Sequence, residues 1–354
     1  MIDILPLRTE RTTASRLATL DANDLEFGKL FSDHMFVVDY RDGEWQDAQI
    51  MPYGDMTVSP ANSALHYGQS IFEGMKAYHQ TDGGVALFRP LDNWARLNAS
   101  AERMCMPTIP EELFMQGLTE LIRLDAAWVP NAPGCSLYIR PFMFATDGFI
   151  GVRPSNSYRL MIFTCPVGLY FNKPLRVRFE QKYVRSAEGG AGYAKNAGNY
   201  GAAMYPTKLA QEEGYNQLIW TDASEHRYVE ESGTMNALFI IDGRLVTPAL
   251  STSILDGVTR RSVLQLARDM GIVVEERKVS SLEIMDALAA GKLEEAFGAG
   301  TAATIAPIAT IGYEGHDYHL PVPGPQAFSK RVGAALDAIR NGQGADSHGW
   351  MVRV

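Results

Sequence analysis

The chain is poor in cysteine, in long apolar runs and in positive charge, and each shortage closes off a class of function. Cys105, Cys135 and Cys165 are the three cysteines among 354 residues, far apart and without Cys-x-x-Cys spacing. They predict neither a disulfide framework nor a zinc site and read as reduced, mostly buried thiols. No apolar run reaches the length that crosses a bilayer, so no membrane partner is expected. A formal net charge of −9 argues against nucleic acid as a partner while leaving room for a local basic pocket that takes a small anion. The opening stretch MIDILPLRTERTTASRL has no signal-peptide core and only weakly imitates a transit peptide, so a cytoplasmic location is the expectation.

Several catalytic signatures are missing as well. The seven histidines form no His-x-x-x-His or Glu-x-x-His pair, and no serine stands in a Gly-x-Ser-x-Gly elbow. Metal and serine hydrolase chemistry are thereby disfavoured, and no metal is expected. Gly-x-Gly-x-x-Gly is absent too; AFGAGTAAT holds only its first half and runs on into strand-like sequence.

What is present is an ample globular chain, 46% hydrophobic and 21% charged. Its length suits two cores better than one. HMFVVDYRDGEWQDA reads as a hairpin turning at Asp42-Gly43, and EGMKAYHQTDGGVALFRP as another turning at Asp82-Gly83-Gly84. PLDNWARLNASAERM and TRRSVLQLARDMG carry apolar residues at helical spacing, the second stopping at Gly271. A capping-box pattern starts a further helix at Ser280 with Glu283, ending near Gly291. Pro166, Gly168 and Pro174 mark an interdomain connection. The expected organisation is a small N-terminal domain over 1–165, a linker over 166–174 and a large domain over 175–354, both α/β (α+β).

Five stretches carry candidate chemistry. GGAGYAKNAGNYGAA presents Lys195 in a span cleared of long side chains, with the phenol of Tyr200 five residues on. A ligand-facing lysine can form a Schiff base with an aldehyde, and small neighbours let a bulky ligand approach. The plainer reading is a mobile glycine loop with a solvated lysine. YVEESGTMN places Glu230 and Glu231 on what reads as a strand, so only one of them faces any given site. A carboxylate there suits a pyridinium nitrogen; alone, it equally suits a solvated strand edge. LDGVTRRSV starts a helix at Val258 and Thr259, whose free N–H groups make an anion site. GAGTAATIAP adds Thr301 and Ala302 in a small-residue turn. Arg96 on DNWARL is either a phosphate clamp or a surface charge.

Taken in this order and at these separations, with FGKLFSDHM, HYGQSIFEGMKAY, LYIRPFMFA and CPVG, the stretches resemble the branched-chain-amino-acid aminotransferases, fold-type IV enzymes that use pyridoxal 5′-phosphate. The resemblance spans nearly the whole chain. It implies a two-domain fold with the cofactor at the domain interface, Lys195 as the amine that holds the cofactor covalently, and Glu231 rather than Glu230 on the pyridine nitrogen. It further implies Tyr200 on the ring oxygen, and Arg96, the Val258 and Thr259 N–H groups and Thr301 on the phosphate. For the substrate it implies an apolar pocket of Phe27, Tyr67, Phe72, Tyr138, Thr234 and Val152, the last from the partner of a homodimer. Arg140 would meet the side-chain carboxylate of glutamate, and the Thr301 and Ala302 N–H groups the α-carboxylate.

The activity so implied is ping-pong transamination of leucine, isoleucine and valine with 2-oxoglutarate, its partners being amino acids and 2-oxo acids. Two departures stand out. Ala303 and Ala306 occupy the place of a redox Cys-x-x-Cys found in some animal relatives, and Pro206 falls inside the helix after GNYG, which it is expected to bend. D-amino-acid aminotransferase and aminodeoxychorismate lyase share the lysine and the glutamate. A carrier of a phosphorylated ligand would use the same turns without the covalent bond.

Overall fold

The computed structural model describes residues 5–22, 24–168 and 173–354. Two compact units emerge. The first takes the described residues up to 168 together with Ala194–Ala197 and Ala338–Val354, and the second takes those from 173 to 193 together with Gly198–Asp337.

The first unit is built on a nine-stranded sheet. Both expected hairpins are there. Asp42 and Gly43 both adopt positive φ (55° and 85°), the backbone that a two-residue turn between right-twisted strands demands. They join His34–Arg41 to Glu44–Pro52 as an antiparallel pair. Met75–His79 and Val85–Phe88 form the second pair. The helix Pro90–Arg103 buries Leu97 and Ala101, and the helix Glu111–Leu124 buries Phe114, Leu118, Leu121 and Ile122 in the core cluster that also contains Phe36 and Ile50. Gly117 on the latter helix makes room for the Phe36 ring, which would stand 2.5 Å from a Cβ at that position.

The second unit holds another nine-stranded sheet, and six of its strands close into a ring. In order they are Val229–Ser232, Gln217–Thr221, Leu175–Glu180, Thr304–Tyr313, Leu293–Gly300 and Met235–Ile241, the last pairing back onto Val229–Ser232. Closure leaves Val229–Ser232 hydrogen-bonded on both sides, and all four of its residues are buried. That removes the solvated-edge reading of Glu230 and Glu231. The helix Val258–Asp269 ends before Gly271 at φ 74°, and Ser280 caps Ser281–Ala289 by accepting the Glu283 N–H at 3.0 Å, as the sequence predicts.

The domain limits need correction at three places. Pro166 and Val167 close the strand Tyr158–Val167 instead of opening a linker, and residues 169–172 of that linker lie outside the described residues. Ala194–Ala197 belongs to the first unit because Asn196 bridges to Ile71. The C-terminal residues return there too, since Met351–Arg353 pairs antiparallel with Val85–Phe88, and the first unit is consequently the longer of the two. Pro206 does not end its helix, which runs Ala197–Glu212 with Pro206 buried within it. The ring simply omits one backbone donor.

Candidate active site

In the loop before Lys195, close packing leaves no space for a side chain at Gly192. A Cβ on Gly192 would stand 2.4 Å from the Ser253 carbonyl oxygen. The Gly189 N–H donates to Thr252 Oγ1 at 2.8 Å, and the Tyr193 N–H to the Thr252 carbonyl at 3.0 Å. These bonds stitch the loop onto the segment 252–253, so it is no loose tether.

In the first unit, the Lys195 backbone is pinned from both ends. Its N–H donates to Ser100 Oγ at 2.9 Å, and its carbonyl accepts the Phe72 N–H at 3.0 Å. The half-buried side chain carries Nζ to 4.6 Å from the centre of the Phe72 ring. Arg140 covers the same ring at 4.6 Å and donates from Nη2 to the Tyr138 hydroxyl at 2.9 Å. Tyr138 in turn meets Phe27 edge to face at 4.9 Å. Gly74 permits this: a Cβ there would lie 2.2 Å from the Tyr138 hydroxyl. Phe27, Phe72, Tyr138, Arg140 and Lys195 thus form one cluster, in which the buried Arg140 Nε has no protein partner. Tyr67 ends the short helix Ser63–Tyr67 and is exposed, and Val152 is 92% exposed, so its own chain barely covers it.

Arg96 is no surface charge. It is buried and held in a two-pronged pair, Nε to Glu73 Oε1 at 2.7 Å and Nη2 to Glu73 Oε2 at 2.9 Å. Sequence reasoning missed Glu73, which lies 23 positions away in the connection between Ser70–Phe72 and Met75–His79. It also missed Ser100, whose hydroxyl serves Lys195 and donates to the Arg96 carbonyl at 2.9 Å.

In the second unit, Tyr200, Glu231 and Thr234 line one narrow cleft with Arg185, Asn199, Ala203 and Gly233. Glu231 Oε1 accepts the Leu255 N–H at 2.7 Å and sits 3.1 Å from Arg185 Nη2. Its cross-strand neighbour Asn236 donates to the Leu255 carbonyl at 2.9 Å, so Leu255 is gripped by both members of the pair. Asn236 also presses on the start of the helix Val258–Asp269: a Cβ on Gly257 would stand 1.9 Å from its Oδ1. Gly257 therefore supplies no capping side chain, and Val258 and Thr259 are buried at the uncapped end. Ala299 pairs with Asn236 on its other side, and Thr301 follows in the turn after Leu293–Gly300. Ala302 and Ala303 complete that turn. The helix start, the Glu231–Thr234 turn and the Thr301 turn converge at one end of the second sheet.

Glu230 points the opposite way, as strand alternation requires. It lines a separate cavity of ≈ 430 Å³ with Ser253, Asp222, Tyr228 and Lys278. Burial pushes its carboxyl up to about 7, against the lowering effect of the Ser253 hydroxyl and Arg185, with Glu231 and Asp222 adding repulsion. Two adjacent carboxylates thus meet different environments, and the one on the cleft is the one held by an arginine.

These residues fit a phosphorylated pyridine aldehyde. Glu231 is a fixed acceptor on a cleft wall, suited to a ring N–H, and an uncapped helix start with no room for a side chain suits a phosphate. Among the described residues no cluster of histidine, cysteine and carboxylates has metal-binding geometry, and no helix is long and apolar enough to cross a membrane.

Comparison with known proteins agrees with this chemistry. The model of the family "Amino-transferase class IV" matches residues 70–311. Branched-chain-amino-acid aminotransferase 2 of Bacillus subtilis is 43% identical over 346 residues, covering 97% of this chain and 95% of its own. Branched-chain-amino-acid transaminase 1 of the same organism is 46% identical over 339 residues, covering 94% and 95%. Among solved structures, the branched-chain aminotransferase of Thermoproteus uzoniensis with norvaline superposes with a TM-score of 0.73 at 26% identity, covering 90% of this chain and 99% of that one. The T.th. branched-chain amino acid aminotransferase with pyridoxamine 5′-phosphate gives 0.73 at 26% identity, covering 89% and 97%. The chain belongs to the class IV aminotransferases, and within them to the branched-chain-amino-acid aminotransferases, pyridoxal 5′-phosphate-dependent enzymes of fold type IV.

Proposed function

We propose that the protein transfers the amino group of L-leucine, L-isoleucine and L-valine to 2-oxoglutarate, forming branched 2-oxo acids and L-glutamate by a ping-pong route. The observation that carries this reading is the Phe27, Phe72, Tyr138 and Arg140 cluster beside Lys195. Aromatic rings bury the methyl groups of an aliphatic side chain, each worth about 0.8 kcal/mol. The one guanidinium among them keeps a buried donor, Nε, that a side-chain carboxylate can satisfy. One pocket thereby accommodates both an aliphatic and an acidic amino acid.

Pyridoxal 5′-phosphate, when bound, supplies the aldehyde carbon that exchanges amino groups and a ring that withdraws electrons from the substrate Cα. Lys195 is the residue that would hold that carbon and would serve as the base for the proton at the substrate Cα. Glu231 would keep a hydrogen on the pyridine nitrogen, and Tyr200 would donate to the ring oxygen. Arg96, the Val258 and Thr259 N–H groups and Thr301 are the groups that would hold the phosphate. The Thr301 and Ala302 N–H groups receive the substrate α-carboxylate, and Thr234 and Tyr67 border the side-chain pocket.

A homodimer fits the exposed apolar run at Phe149, Ile150 and Val152, of which Val152 is offered to the neighbouring pocket. The unpaired state of Cys105, Cys135 and Cys165 fits a reducing cytoplasm. The test supplies L-leucine or D-alanine, each with 2-oxoglutarate, and measures L-glutamate and D-glutamate separately. Formation of L-glutamate from leucine alone supports the reading; formation of D-glutamate from D-alanine alone overturns it.

A further inference from the structure

Segment 252–255 stands at a junction that none of the roles above explains. Thr252 receives the N–H groups of Gly189 and Tyr193, and so holds the glycine loop. The Ser253 carbonyl accepts from Arg185 Nη2, which also donates to the Gly192 carbonyl at 3.0 Å and pairs with Glu231 at 3.1 Å. Leu255 donates its N–H to Glu231, and its carbonyl accepts from Asn236. Thr252, Ser253 and Leu255 thus hold the loop on one side and the cleft carboxylate on the other.

Beside the Leu255 bonds, a second anchor of the segment to the strand is Glu230. Its Oε1 accepts from the Ser253 hydroxyl, and the residue keeps only 7% of its surface exposed. The bond is local to a buried site, where hydrogen bonds are strong and rigidity propagates through packed neighbours. The strand itself cannot shift, being paired on both edges.

We infer that Glu230 is a positioning residue: through the Ser253 hydroxyl it ties segment 252–255 to the closed strand ring, and that segment places both the Glu231 carboxylate and the glycine loop ending at Tyr193. The inference rests on the reading of Glu231 as the cofactor's carboxylate only for its effect on cofactor binding. Glu230 lines a cavity other than the cleft that Glu231 lines. Below neutral pH it keeps its proton, so Arg185 is left to Glu231 instead of being shared between two anions. The charged groups around Glu230 are Arg185, Asp222 and the adjacent Glu231, with Glu188, Glu225 and Lys278 also lining its cavity.

The test compares Glu230→Ala, Glu230→Gln and Ser253→Ala with the parent protein by amide hydrogen exchange, with and without cofactor. It also measures pyridoxal 5′-phosphate affinity of the apoenzyme from tryptophan fluorescence. Glu230→Ala and Ser253→Ala are expected to speed exchange at Tyr193 and Leu255 about tenfold, leaving Leu245 and Ile240 within about twofold, and to weaken cofactor affinity about tenfold. Turnover falls while the KM for leucine stays within about twofold. Glu230→Gln retains an oxygen to accept the Ser253 hydroxyl and restores the exchange pattern. Unchanged exchange at Tyr193 and Leu255 in both truncations, or a uniform increase across the second unit, overturns the inference. A Glu231→Gln variant with undiminished turnover would instead sink the cofactor reading and leave the exchange result to stand by itself.

Discussion

Arg96 and Glu73 form a buried, two-pronged ion pair beneath Ser100, the residue that fixes the Lys195 backbone. Removing one partner of such a pair leaves a desolvated charge. Glu73→Ala is therefore expected to destabilise the protein by about 3 kcal/mol, read as a lowered denaturation midpoint. Replacing both, Glu73→Leu with Arg96→Met, should recover most of that loss. If Arg96 also holds the phosphate, the double variant stays weak in cofactor affinity although it is stable again.

Lys195→Ala should lower turnover by at least about a thousandfold and abolish trapping of the cofactor on the chain by borohydride. Mass spectrometry of the reduced, digested protein checks the second point. A cofactor found reduced onto any other lysine refutes the assignment.

Arg140→Met probes the dual pocket. Loss of the guanidinium should cost 2-oxoglutarate about 2 kcal/mol in kcat/KM, roughly thirtyfold. The half-reaction with leucine should change by less than about threefold. Equal losses for both substrates would mean that Arg140 shapes the pocket and does not read the carboxylate.

Glu231→Gln keeps the acceptor for the Leu255 N–H but removes the charge that Arg185 meets. Turnover is expected to fall well over about tenfold with a smaller effect on cofactor retention. Stopped-flow measurement of the half-reactions separates the two quantities.

Glu230 gives a pH signature in stability. Burial raises its carboxyl from 4.5 to about 7, so between those values the unfolded chain sheds the proton while the native chain keeps it. Stability consequently falls as pH rises through that window and stays level above it. Glu230→Gln has no such loss and should gain on the order of 2 kcal/mol relative to the parent between about pH 4 and pH 8. Urea denaturation at the two pH values measures it; a constant difference contradicts the sign.

Local signals carried much of the fold. Asp42-Gly43, the Ser280 cap and the stop at Gly271 each depend on backbone chemistry that a few neighbouring residues dictate, and each stands where the sequence predicts it. The stretches around Lys195, Glu231 and Thr301 stood out in the sequence by their small residues, one of which, Gly192, makes room for the Ser253 carbonyl. What stayed hidden was non-local. Glu73 beneath Arg96, Arg185 beside Glu231 and Ser253 beside Glu230 are pairings across the fold, and an isolated arginine or serine gives no sign of its partner. The return of Met351–Arg353 to the first sheet was equally silent, since three residues are too few to display alternation.

The closed circuit of six strands bears on how such an enzyme can change. Val229–Ser232 has no margin from which to unzip, so the acid on its cleft side inherits its place from architecture and not from any bound molecule. Phe72, Tyr138 and Arg140 are held instead by side-chain contacts with one another, which substitutions can rearrange. New substrate preferences should accordingly accumulate around those three, while the anion held by the circuit is carried unaltered from one descendant to the next.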